Sequence, residues 1–299
     1  MKKVLFILGP TAVGKTKTSV SLARKFGGEV ISADSVQIFK GFNIGSAKVT
    51  KEEMYEVKHH LIDICEPNEN FTAYEMTEAI RKKIDEISPY ALPIVVGGTG
   101  LYVKSLLLGY NFGGAGVDED YRKKLEEILR VDGIEKLAEM LKNVSPSAYE
   151  KIDKKNPHRL IRALEIARFS GEKKEGKCEY DALIFALNLE RQKLYERINR
   201  RVDIMLENGL VEEARALLKA GVSENAQAMH AIGYKEVVQY LKGEVSFERM
   251  KELIKQHSRN YAKRQLTFLR GMKNVNFVDI EEKGYQKKME NMIERWKNG

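Results

Sequence analysis

The most restrictive feature of the chain is the stretch from Val4 to Thr16, where five apolar residues, Val4-Leu5-Phe6-Ile7-Leu8, run directly into Gly9-Pro10-Thr11-Ala12-Val13-Gly14-Lys15-Thr16. The second part matches the phosphate-loop pattern G-x-x-x-x-G-K-[ST]. It stands where such a loop works, after a buried-strand run and before a helical pattern over 17–26. Gly9 and Gly14 let the backbone turn tightly and aim successive N–H groups inward, and the helix N-terminus adds partial positive charge. Lys15 supplies a point charge for a terminal phosphate, and the Thr16 hydroxyl is placed to ligate Mg2+. The loop is therefore a diphosphate cradle in an α/β fold, though it does not say which phosphate compound it holds.

With 299 residues, 43% of them hydrophobic, the chain can bury a substantial core in one large domain or two. No apolar run approaches the ~20 residues of a membrane span, and a cytoplasmic, monomeric protein without membrane contact is expected. Cys65 and Cys178 are far apart, and the five histidines lack paired ligand spacing apart from the adjacent His59-His60, so neither a disulfide nor a structural metal is expected. The net charge of +8 favours an anionic partner, and its distribution says more: between Arg249 and Arg270 stand seven Lys or Arg and one acid, Glu252.

A second strand pattern, 29–33, ends at Asp34-Ser35-Val36-Gln37. Functional groups of open parallel sheets gather at the carboxyl ends of strands, so Asp34 is presented on the same edge as the phosphate loop. It is either a catalytic carboxylate or an acid that caps a turn or orders water around Mg2+. A further strand, Ile94-Val95-Val96, ends in Gly97-Gly98-Thr99-Gly100, where an ATP-hydrolysing protein usually carries an acid. The glycines admit a close neighbour, and Thr99 offers a hydroxyl.

A glycine-dense segment at 109–116 then opens a helical stretch, which a connection at 170–177 closes. In it, Asn156-Pro157 starts a helix with a basic end, His158, Arg159 and Arg162: a solvated face or a polyanion clamp. The strand 182–187 returns to the sheet. The next helix buries Leu194, Ile198, Val202, Met205 and Leu206, with Arg197, Arg200 and Arg201 flanking the stripe. The last long helix, 247–269, turns Phe247, Met250, Ile254, Tyr261 and Phe268 inward. Its basic strip, with Tyr261, Gln265 and Phe268 among it, suits a nucleic-acid backbone. A helix at 289–296 ends the chain.

Taken in order, these motifs resemble the tRNA dimethylallyltransferase (tRNA isopentenyltransferase) family over nearly the whole chain. They are Gly9 to Thr16, Ala33-Asp34-Ser35 with Gln37, Ile44-Gly45-Ser46-Ala47-Lys48, His59-His60-Leu61-Ile62-Asp63, and Val96 to Tyr102. Further along come Arg159 with Arg162-Ala163-Leu164-Glu165, Arg201-Val202-Asp203, Ala231-Ile232-Gly233-Tyr234-Lys235-Glu236 and Ala262-Lys263-Arg264-Gln265-Leu266-Thr267. The resemblance implies transfer of a dimethylallyl group from dimethylallyl diphosphate to N6 of adenosine 37, in the anticodon loop of tRNAs reading codons that start with U. Mg2+ at Thr16 is the implied cofactor.

On that resemblance Asp34 is the general base, Arg201 stabilises the departing diphosphate, and Thr99 contacts the substrate near the amine. Contacts to tRNA are implied for Asp34, Ser35, Val36 and Gln37, for His158, Arg159, Leu160, Ile161 and Arg162, for 229–234, and for 263–270, including Lys263, Arg264 and Arg270. Val36 stands where many relatives carry a longer or basic side chain, and Phe39 replaces the usual tyrosine. The expected architecture is a phosphate-loop NTPase-like parallel sheet core, 1–110 and 177–299, with a helical C-terminal part and a helical insertion, 111–176, able to swing over bound RNA. The alternatives are a small-molecule kinase using ATP and a non-catalytic RNA-binding module.

Overall fold

The computed structural model describes residues 1–107, 118–168 and 180–299. The glycine-dense segment at 109–116, the connection at 170–177, Cys178 and the expected insertion boundaries lie outside them. The chain divides into two compact units, Met1–Leu107 with Glu179–Gly299, and Leu108–Cys178.

The first unit is built on six strands: β1 (Lys2–Leu8), β2 (Gly28–Ser32), β3 (His59–His60), β4 (Leu92–Gly97), β5 (Tyr180–Asn188) and β6 (Val275–Asp279). They form one parallel sheet in the order β3-β2-β4-β1-β5-β6. β1 lies between β4 and β5, which explains its unbroken apolar run: Val4 to Leu8 are buried on both faces. Helices α1 (Lys15–Phe26), α2 (Lys51–Met54), α3 (Ala73–Glu86) and α4 (Gly100–Leu107) precede the second unit in sequence. Both α2 and α3 begin in a capping box, Thr50 with Glu53 and Thr72 with Glu75.

The second unit contains α5 (Glu119–Val144), α6 (Pro146–Lys151) and α7 (Pro157–Arg168). Gly133, at φ 82°, interrupts α5. Leu125, Leu137, Leu141, Leu160, Ile161 and Leu164 form its core. As the sequence implies, the Asn156 side chain accepts from the Arg159 N–H at 3.2 Å, with Pro157 as the first helical residue.

After β5 the first unit continues through α8 (Arg191–Glu207), α9 (Leu210–Lys219), a 3-10 turn at Gln227–His230, α10 (Tyr234–Leu241), α11 (Phe247–Arg270) and, beyond β6, α12 (Tyr285–Asn298). β6 is an edge strand that the sequence pattern does not announce. Phe247, read as inward, is 40% exposed and packs edge-on against Tyr240. No helix among the described residues is long and apolar enough to cross a membrane.

Candidate active site

The carboxyl ends of β1, β2 and β4 carry the phosphate loop, Asp34 and the Gly97-Gly98-Thr99 turn to one edge of the sheet. A cavity of about 420 Å³ opens there. Thr11, Ala12, Gly14, Lys15 and Thr16 line one side, and Asp34, Ser35, Val36 and Gln37 another. Gly9 is buried, and a Cβ on it would stand 2.8 Å from the Leu187 carbonyl, so the loop enters through a gap only glycine fits. Gly14, at φ 96°, caps α1 in the left-handed region. Pro10 and Val13 are buried; Val13 can offer an anion only its main-chain N–H, and Pro10, which has none, contributes its carbonyl to Lys15 instead.

Lys15 folds back on the loop, its Nζ donating to the carbonyl oxygens of Gly9 and Pro10 at 3.0 and 2.8 Å. Its pKa is pushed down from 10.5 to about 8, first by burial and then by the positive charge of Arg201, with Asp34 opposing. Arg201 reaches the same cavity from α8, and its pKa too is lowered by burial against the pull of Asp34 and Glu53. Neither cation forms an ion pair among the described residues. Arg197 and Arg200, read beside it, are exposed.

Asp34 is half-buried and makes no ion pair among the described residues. Its Oδ1 accepts from the backbone N–H groups of Val36 at 2.9 Å and Gln37 at 3.2 Å, so the turn-capping role is real. It occupies one carboxylate oxygen and leaves Oδ2 for other chemistry. Around the carboxylate stand two phenols. Burial and then the Asp34 charge push Tyr102 up to about 12, and the same causes raise Tyr261; Tyr102 shares a hydrogen bond with Ser35, and Tyr261 with Thr99. Both phenols therefore stay protonated donors at neutral pH.

Several lining residues were not read as site residues from the sequence. Ile198, Val202 and Met205 of α8 and Ile254 of α11 give the cavity an apolar wall. Gln265, read as part of a nucleic-acid-facing strip, is instead buried. Its Oε1 accepts from the Thr11 N–H at 2.9 Å and its Nε2 donates to the Gly98 carbonyl at 3.1 Å, bracing the phosphate loop against the Thr99 turn. The basic strip is likewise partly engaged: Lys251 and Lys255 pair with Asp203 at 2.7 and 2.9 Å, and Arg259 donates to Asn199 at 2.6 Å. Lys263, Arg264 and Arg270 are exposed, and Arg264 also lines the cavity. Within 229–234, Met229 and Tyr234 are interior while His230, Ala231 and Ile232 line the cavity.

In the second unit, His158 and Arg159 are exposed and Arg162 half-buried. Leu160 and Ile161 are packed in the helical core, which limits them to main-chain contact with any RNA. Glu165, fully buried, receives both Nε and a terminal nitrogen of Arg122 at 2.7 and 2.9 Å and Arg162 at 3.0 Å. Burial alone would raise its pKa, but the two arginines outweigh that and hold the carboxyl below its usual range.

A model of the IPP transferase family matches residues 37–272. The chain belongs to that family. The tRNA dimethylallyltransferase of Exiguobacterium sp. is 45% identical over 302 residues, covering 98% of this chain and 96% of the relative. The crystal structure of the full-length tRNA isopentenylpyrophosphate transferase of Bacillus halodurans has a TM-score of 0.76 at 43% identity, covering 99% of this chain and 97% of that one. A eukaryotic dimethylallyltransferase described as acting on tRNA has a TM-score of 0.81 at 26% identity, covering 98% and 78%. The matched range of the family model starts after the phosphate loop and Asp34, and the whole-chain relatives extend the likeness across both. In this member of the IPP transferase family, β4 ends in Gly97-Gly98-Thr99 beside an apolar wall, with no acid of the kind an ATP-dependent kinase uses for its metal.

Proposed function

We propose that the chain transfers the dimethylallyl group of dimethylallyl diphosphate to N6 of adenosine 37 in tRNAs reading codons that start with U, giving N6-isopentenyladenosine. One observation carries the reading: Lys15 and Arg201, two desolvated cations with no direct ion pair among the described residues, converge on a cavity that also holds the Asp34 carboxylate and an apolar wall. Side by side, such cations repel each other until a polyanion arrives. The wall of Ile198, Val202, Met205 and Ile254 suits a five-carbon apolar chain.

As the C–O bond of the prenyl diphosphate loosens, negative charge grows on the departing diphosphate. Loop N–H groups, Lys15 and Arg201 stabilise it there. The exocyclic amine of adenine is a poor nucleophile, its lone pair being delocalised into the ring. Asp34 accepts the N6 proton as the new C–N bond forms, and its Oδ1 bonds to Val36 and Gln37 hold it in place. Thr99 and Tyr261 orient the base, which has to be extruded from the anticodon loop at a cost of about a few kcal/mol. Exposed Lys263, Arg264, Arg270 and Arg159 offset this cost through phosphate contacts.

Mg2+ fits the donors present. A side cavity of about 60 Å³ has Thr16, Ser19, Ser32, Asp34 and Gln37 among its lining, together with Lys15 and an apolar side of Val30, Val49, Ile62 and Val96, so its oxygen donors lie at the Thr16 and Asp34 end. Substrate phosphate oxygens and water would complete the shell of an ion held there. When bound, Mg2+ would neutralise diphosphate charge. We place the enzyme in the cytoplasm, as a monomer.

Incubation with labelled dimethylallyl diphosphate, Mg2+ and unmodified tRNA tests the reading: label is expected in the tRNA. No transfer, together with ATP-dependent phosphorylation of a small substrate, would replace it with the kinase reading.

A further inference from the structure

The segment 43–48 has no part in the chemistry above, yet it is densely bonded to the elements around the cavity. Glu213 of α9 is the centre of that hold. Its carboxylate accepts from three consecutive backbone N–H groups, Asn43 at 3.0 Å, Ile44 at 2.9 and 3.0 Å and Gly45 at 3.2 Å, and from the Tyr234 hydroxyl at 2.6 Å. Successive N–H groups converging on one point form an anion nest, and here the protein supplies the anion itself. Tyr234 is fully buried, its hydroxyl also accepts from the Gly45 N–H at 3.1 Å, and its ring meets Phe42 edge-on at 4.8 Å between centroids. A Cβ on Gly45 would lie 2.4 Å from that ring, so the loop is seated against it.

The seated loop in turn fixes Gln37. The carbonyls of Ser46 and Ala47 accept from the Gln37 Nε2 at 3.4 and 3.3 Å, and the Gln37 backbone N–H donates to Asp34 Oδ1 at 3.2 Å. From the far side, the buried Lys48 ammonium pairs with Asp63 at 2.5 Å and donates to the Phe39 carbonyl at 2.8 Å, while the Asp63 N–H donates to the Gln37 carbonyl at 3.1 Å. A continuous chain of bonds thus runs from α9 and α10 through the loop and Gln37 to the Asp34 carboxylate. Among the described residues, none of these hydrogen bonds or ion pairs runs to the phosphate loop; the chain meets it only through the charge of Asp34 across the shared cavity.

We infer that Glu213, with Tyr234, is a positioning residue for the adenosine side of the site: it sets where Asp34 and Gln37 stand relative to the incoming base and leaves diphosphate binding alone. The inference rests on the prenyl-transfer reading above. Charge matters as well as shape, since a carboxylate accepts from all four donors whereas a carboxamide brings an NH2 into a cluster of N–H groups.

The test is steady-state transfer to unmodified tRNA, with dimethylallyl diphosphate affinity measured separately by calorimetry, for Glu213→Gln, Gln37→Ala and the pair. Wild-type transfer must first be seen, and its absence would count against the reading of function rather than this inference. Glu213→Gln is expected to lower kcat/KM for tRNA by tenfold or more with diphosphate affinity within twofold of wild type. Added to Gln37→Ala, it should cause little further loss, because both cut one chain. Wild-type kcat/KM in Glu213→Gln, an equal fall in diphosphate affinity, or fully multiplicative losses in the pair would overturn the inference. If Glu213→Gln does not fold, Tyr234→Phe, which keeps the ring packing and removes one donor, decides the matter by the same measurements, with a smaller fall in kcat/KM expected.

Discussion

Affinity for dimethylallyl diphosphate should fall as pH rises through about 8, because Lys15 must be protonated to pair with it. In the free protein burial and the Arg201 charge bring this ammonium down from 10.5 to about 8. A diphosphate beside it favours the charged form, so the pKa is higher in the complex. Below pH 8 the amine already carries its proton and binding takes up none. Above it, binding must draw one from solvent, and affinity drops by about tenfold per pH unit. Between pH 7 and 9 the protonated fraction of a group with this pKa falls roughly tenfold, about 1.4 kcal/mol of binding free energy. Calorimetry in buffers of different ionisation enthalpy reads both quantities, with uptake of about half a proton expected at pH 8. Lys15→Arg, whose guanidinium stays charged, should flatten the profile. Arg201→Gln should move its break to higher pH while weakening binding overall. A wild-type affinity that is constant from pH 7 to 9, with no proton uptake, refutes the view that Lys15 is a desolvated cation waiting for an anion.

Two further outcomes follow from the bonding. Gln265→Leu keeps the volume but leaves the Thr11 N–H and the Gly98 carbonyl without their partner; denaturant unfolding should show about 2–4 kcal/mol less stability, and a change below 0.5 kcal/mol would contradict the brace. Glu165→Gln should destabilise the protein by about 2–3 kcal/mol at pH 7. Because the Glu165 pKa is held below its usual range, that contribution is present above the ordinary carboxylate range and is lost as pH falls through the lowered value. The gap between wild type and variant should therefore narrow on acidification, and a gap that does not narrow at any acid pH at which the protein stays folded would rule out the ion-pair origin.

What the sequence discloses is what is locally encoded. The β1 run and the glycine spacing after it identify the phosphate loop before any contact is known, and the strand ends place Asp34 and Thr99 on the same edge. The apolar wall is different. Ile198, Val202 and Ile254 read as the buried stripe of amphipathic helices, and a stripe that lines a cavity has the same spacing as one that fills a core. Gln265 and Glu213 are hidden for a related reason: each looks like an ordinary polar residue of a helix, and only the crossing of α11 or α9 over a distant loop shows what it bonds. Leu160 and Ile161, which the resemblance sets against RNA, stand with Leu164 on the apolar face of α7 and turn into the helical core. β6 escapes because a short edge strand owes its place to β5 rather than to its own pattern.

The central claim is that Asp34 takes the proton of the attacking amine in a pocket that grips diphosphate independently. Single-turnover transfer by Asp34→Asn tests it most directly, because asparagine Oδ1 can still accept from Val36 and Gln37 and so preserves the turn. Binding of tRNA and of dimethylallyl diphosphate should stay within a few-fold of wild type while transfer slows by about 10²–10⁴. Transfer at close to the wild-type rate would contradict the account.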